Sequence, residues 1–79
     1  MPKLRRISGE DISNALMKEG FEVLRQKGSH VRLVKNGSDS KTYITIPLHK
    51  EIDRGTLKSI IRSLKRIFSQ DKILEIFYK

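Results

Sequence analysis

Cysteine is absent from the 79 residues. That excludes a disulfide framework and thiolate chemistry. Tryptophan is absent as well, and proline occurs only twice. No apolar run approaches the roughly 20 residues of a membrane-spanning helix. The basic lead-in Met1-Pro2-Lys3-Leu4-Arg5-Arg6 is not followed by an apolar signal core. The expectation is a cytoplasmic protein with no membrane partner. Histidine is scarce, at His30 and His49. Two histidines without a nearby carboxylate cluster are a poor ligand set, so neither a metal nor another cofactor is expected.

What is present is cationic charge. Lysine and arginine number 17 against 9 aspartates and glutamates, a net charge of +8. Such a balance favours anionic partners: nucleic acid first, an acidic protein second, a membrane surface third. The length allows one domain, here residues 1–79. A chain this short buries about 60% of its unfolded surface, so a shallow surface site is expected rather than a deep cavity.

The pattern predicts an α+β domain. Ser8 caps a helix over Gly9–Glu19 with Ile12, Ala15 and Leu16 at helical spacing, and Gly20 closes it. The first six residues read as a tail or short lead-in. Phe21 and Val23 alternate with Glu22 and open a strand running to Gln26. Gly28 and Ser29 make the turn. Val31 and Leu33 then face one way, His30 and Arg32 the other. Asn36–Ser40 is a loop, and a third strand covers Thr42–Leu48. Its Ile44, Ile46 and Leu48 share one face. Tyr43, Thr45 and Pro47 share the other, and His49 continues it. Asp53 caps a second helix whose apolar stripe is Leu57, Ile60, Ile61, Leu64, Ile67 and Phe68, with Lys58, Arg62, Lys65 and Arg66 away from it. Ser69 caps a short tail helix, with a terminal strand ranked second. The core is expected over about 8–68, with 69–79 as the tail.

Strand parity puts both histidines on the open face. Cross-strand partners must share a face, so Leu33 pairs with Ile44 or with Ile46. The first register sets His49 diagonally from His30, at about 7–8 Å; the second sets them directly opposite, at about 5 Å. Either brings two imidazoles together beside Arg32, Tyr43 and Thr45. This suits cutting RNA. The 2′-hydroxyl loses a proton as it attacks phosphorus, and the leaving 5′-oxygen gains one. An imidazole can do either near neutral pH, and arginine or lysine can stabilise the charge that gathers on phosphorus. Ser29 lacks the third residue of a Ser-His arrangement and reads as a turn residue.

Three segments resemble one family. Arg25-Gln26-Lys27-Gly28-Ser29-His30, Thr45-Ile46-Pro47-Leu48-His49 and Gly55-Thr56-Leu57-Lys58-Ser59-Ile60-Ile61-Arg62, with Gly-Phe at 20–21, are similar to the HicA (YcfA-like) toxins. The resemblance covers Ser8 to Leu64. It implies a double-stranded-RNA-binding-domain-like α-β-β-β-α fold, here with a short C-terminal helix. It implies an mRNA interferase, a ribosome-independent endoribonuclease that acts on messenger RNA as the toxin of a toxin–antitoxin pair. His30 maps to the catalytic histidine, and a HicB-type antitoxin is the implied partner. Where the family often has Lys-Pro-Gly-Thr-Leu, this chain has Asp53-Arg54-Gly55-Thr56-Leu57, a change that bears on helix initiation rather than chemistry. For His49 three roles stay open: second proton-transfer group, phosphate ligand, or strand cap. The residues expected to hold RNA are Lys27, Gly28, Ser29, Arg32, Lys58 and Arg62. The competing readings are a non-catalytic RNA-binding module of the same fold and a module whose basic face docks an acidic protein.

Overall fold

Each helix begins on a side chain that satisfies an otherwise unpaired backbone N–H. The computed structural model describes residues 3–78. In it, Ser8 Oγ accepts from Asp11 N at 3.0 Å, opening α1 (Gly9–Lys18). Asp53 Oδ2 accepts from Thr56 N at 3.0 Å, opening α2 (Arg54–Leu64). Ser69 Oγ accepts from Lys72 N at 3.1 Å, opening α3 (Gln70–Phe77). The tail is thus helical, not a strand. α1 ends in a Schellman arrangement: Phe21 N–H donates to Leu16 O at 3.0 Å and Gly20 N–H to Met17 O at 3.2 Å.

The strands are β1 (Glu22–Lys27), β2 (His30–Asn36) and β3 (Lys41–Pro47), antiparallel in the order β1-β2-β3. Between β1 and β2, φ is positive at Gly28 and not at Ser29, the pattern of a type II′ turn. Leu33 pairs with Ile44, which places Pro47 opposite His30. α1 and α2 pack with Val31, Leu33, Ile44 and Ile46 around one core, leaving the other sheet face open. The result is an α+β domain with the α-β-β-β-α order of the double-stranded-RNA-binding-domain-like fold and a third helix appended.

Four details depart from simple periodicity. β1 carries a bulge between Val23 and Arg25, so Leu24 has no partner across the ladder. Val23 and Leu24 are half exposed, although alternation with Phe21 places Val23 inward. Pro47, assigned by parity to the open face, is buried, because the start of α1 passes over the end of β3. α2 stops at Leu64, short of the full apolar stripe. Ile67 N–H and Phe68 N–H both fold back on Leu64 O, which turns Ile67 outward to 39% exposure. Phe68 still meets Phe21 edge to face, with ring centroids 6.2 Å apart.

Of the lead-in, Met1 and Pro2 lie outside the described residues, and the segment from Leu4 on is tied to the domain. Arg5 N–H donates to Phe77 O at 2.8 Å, Ile52 N–H donates to Ile7 O at 2.9 Å, and Ile7 is buried. Leu4 and Tyr78 form an antiparallel bridge. α3 sends Ile73, Ile76 and Phe77 into the same core as α1 and α2. Lys72 ties it to the end of α1 through Glu19, Nζ to Oε2 at 3.0 Å, with Glu75 at 3.5 Å. The Glu19 hydrogen bond, ahead of the attraction of both carboxylates, holds the Lys72 ammonium above the usual lysine range. Phe77 is fully buried, so Phe77→Ala is expected to cost about 3–5 kcal/mol in urea unfolding. A cost under about 1 kcal/mol would mean that α3 is dispensable to the core.

The cap of α2 makes a pH signature. The Thr56 backbone N–H, then the Thr56 side chain, holds the Asp53 carboxyl below the ordinary aspartate range. A carboxyl with a lower pKa folded than unfolded stabilises the fold above its unfolded pKa. That contribution is lost as pH falls through the folded value. Asp53→Asn keeps an acceptor at the cap. It is expected to flatten the dependence of melting temperature on pH below about pH 4 relative to the parent.

Candidate active site

His30 opens β2, directly after the turn, and pairs with Lys27 on one side and Pro47 on the other. Its side chain lies on the open face with Arg32. His49 sits two residues past the end of β3. Of the two registers that parity allowed, the one observed makes the histidines diagonal neighbours. Their rings lie 6.4 Å apart, centroid to centroid, at an interplanar angle of 73°.

Main-chain bonds fix both histidine-bearing segments. Leu48 N–H donates to Ser29 O at 2.6 Å, joining the residue before His49 to the residue before His30. Gly9 N–H donates to His49 O at 2.9 Å. Gly9 has to be glycine for this contact: a Cβ there would stand 1.9 Å from Pro47 O. The pair is therefore set by the backbone of the turn, the end of β3 and the start of α1.

Around His30 lies a shallow cavity of about 260 Å³, lined by Arg25, Lys27, His30, Arg32 and Thr45. Three of these carry positive charge and none carries negative charge. Arg32 is held in place twice: Nη1 donates to Thr45 Oγ1 at 3.1 Å, and the guanidinium carbon lies 5.0 Å from the Tyr43 ring centroid. Arg25 escaped the sequence reading because regular alternation assigns it to the Phe21 face. The bulge at Leu24 shifts the phase, so Arg25 pairs with Arg32 and joins Lys27 beside His30.

The other expected RNA contacts divide. Gly28 and Ser29 form the exposed rim beside His30. Lys58 and Arg62 are exposed on α2 and do not reach this cavity. Lys58 lines a separate hollow with Lys3, Leu4, Arg54 and Tyr78. Arg62 lines a groove that includes Tyr43. Among the described residues, no group of three His, Cys, Asp or Glu side chains is placed to hold a metal ion.

A family model described as the HicA toxin of bacterial toxin-antitoxin matches residues 9–66. The chain belongs to the HicA toxin family. No curated protein matches it. The HicA match runs from the first residue of α1 past the end of α2, and so contains both histidines, the turn and Arg25. Membership makes the chain the toxin of a toxin–antitoxin system, with an antitoxin as its partner. Among the described residues, no helix is long and apolar enough to cross a membrane.

Proposed function

We propose that this HicA toxin is a metal-independent endoribonuclease that cuts messenger RNA in the cytoplasm, with His30 as its central catalytic residue. The observation that carries this reading is the juxtaposition of two imidazoles 6.4 Å apart on an open sheet face rich in cations. Each ring can reach an oxygen of one phosphodiester through a hydrogen bond of about 2.8 Å.

In the reaction, one imidazole takes the proton of the 2′-hydroxyl as that oxygen attacks phosphorus. The P–O5′ bond breaks, and a protonated imidazole gives the leaving oxygen its proton. Arg25, Lys27 and Arg32 face the non-bridging oxygens, where negative charge builds in the transition state. His30 has the cations around it. His49, beside it, is the second proton-transfer group. Gly28 and Ser29 shape the rim over which the strand enters. A HicB-type antitoxin inhibits by covering the same face, and acidic groups on it would complement these cations.

The test is cleavage of a long unstructured RNA in the presence of EDTA, followed by end-group analysis. Products with 2′,3′-cyclic phosphate and 5′-hydroxyl ends are expected. Cutting that needs added metal and leaves 3′-hydroxyl ends would overturn the reading. RNA that is bound and never cut would indicate a non-catalytic RNA-binding module of the same fold.

A further inference from the structure

Beyond the histidine cavity, the open face continues along β3 to Tyr43. This ring is 46% exposed, among the most exposed large apolar side chains of the molecule. It sits four residues from Pro47, the partner of His30, which is about 13 Å along the strand at roughly 3.3 Å per residue. Arg32 bridges that interval. It lines the histidine cavity and rests over the Tyr43 ring. On the far side of Tyr43, a groove of about 610 Å³ runs between β3 and the end of α2. Its cations are Lys41, Arg62 and Arg66, and it contains no carboxylate.

We propose that Tyr43 is a stacking platform for a base of single-stranded RNA flanking the cleaved phosphate, and that the Lys41–Arg62–Arg66 groove holds the phosphates beyond it. This deepens the ribonuclease reading and rests on it. An exposed aromatic ring beside a cationic track is the combination that binds unpaired strands, because every base offers a π-face. A duplex keeps its bases stacked on one another and offers none to Tyr43. The open face therefore selects unpaired RNA without selecting its sequence. Arg32 joins the two halves of the site: the same guanidinium that borders the histidine cavity also sits against the ring. This gives Arg62 the phosphate-binding role in a groove separate from the histidine cavity.

The probe is a short 2′-O-methyl oligoribonucleotide, labelled for fluorescence anisotropy, used single-stranded or annealed to its complement. It lacks the attacking hydroxyl, so binding is read without cleavage. The parent protein is expected to prefer the single strand. Tyr43→Leu, which keeps apolar cover over neighbouring Val34, is expected to bind the single strand roughly tenfold more weakly with duplex binding unchanged. Tyr43→Phe keeps the ring and is expected to bind as the parent does. Equal single-strand affinity for Tyr43→Leu and parent, or equal loss for both probes, overturns the stacking role. The double variant Arg62→Ala, Arg66→Ala changes two exposed positions, one on α2 and one in the turn after it, and serves even where Tyr43→Leu fails to fold. It is expected to lower the salt slope for the single strand by about 1.4, at roughly 0.7 per phosphate, and an unchanged slope overturns the groove. A parent protein that binds neither probe overturns the ribonuclease reading itself, which separates that failure from the failure of Tyr43.

Discussion

Alanine at His30 is expected to lower the rate of RNA cleavage by about 10²–10⁴-fold while leaving RNA affinity close to that of the parent. The asymmetry follows from what surrounds the imidazole. Affinity comes mainly from phosphate contacts, and Arg25, Lys27 and Arg32 all remain when the ring is removed. Turnover needs a group that exchanges a proton with the reacting oxygens, and none of those cations readily does so. Stability should change little, since His30 is exposed at the start of its strand. Single-turnover cleavage together with binding of the non-cleavable oligonucleotide makes the measurement. Loss of binding in parallel with turnover would show that His30 only anchors the strand. His49→Ala then tests the proton-transfer role proposed for the second histidine against phosphate binding. A fall in kcat marks proton transfer, and a rise in KM alone marks phosphate binding.

The largest stability effect outside the core is expected at Gly9. Gly9→Ala should gain up to about 1 kcal/mol of helix propensity. The gain is outweighed. The new Cβ would stand 1.9 Å from Pro47 O, 2.8 Å from Pro47 C and 2.9 Å from Leu48 Cα, and every one of these atoms is main chain. Backbone on both sides cannot yield as a side-chain tip does, so a net loss of about 3 kcal/mol is expected in urea unfolding. In a domain of this size that is a large share of the total. The molecules that remain folded should also cut poorly, because relief of the clash moves His49, whose carbonyl accepts from Gly9 N–H. A displacement of about 1 Å at a catalytic group can cost 10²-fold. Wild-type stability in Gly9→Ala would show that α1 and β3 can part without consequence.

Much of this architecture was legible because its signals are local. Ser8, Asp53 and Ser69 each announced a helix start, and each does accept from the N–H three residues on. The shared face of His30 and His49 followed from parity and needed no knowledge of register. Register itself was narrowed to two choices, and the pairing of Leu33 with Ile44 is one of them. What stayed hidden depends on contacts distant in sequence. Nothing near Leu24 marks a bulge, yet the bulge alone turns Arg25 toward the histidine. Gly9 read as an ordinary helix residue because the backbone that crowds it lies nearly forty positions away. The apolar stripe of α2 continues to Phe68 in sequence. Two N–H groups sharing Leu64 O end the helix early, which sends Ile67 out and Phe68 in.

The bridge between Leu4 and Tyr78 has a consequence for the way the chain is threaded. Leu4 and Tyr78 lie side by side, next to Arg54 and Lys58 and apart from the histidine cavity. Two positions this close, Leu4 and Tyr78, are what the linker of a circular permutant would have to join. The tight Gly37–Ser40 loop, where Gly37 N–H donates to Ser40 O at 2.7 Å, is the natural place to open the ring.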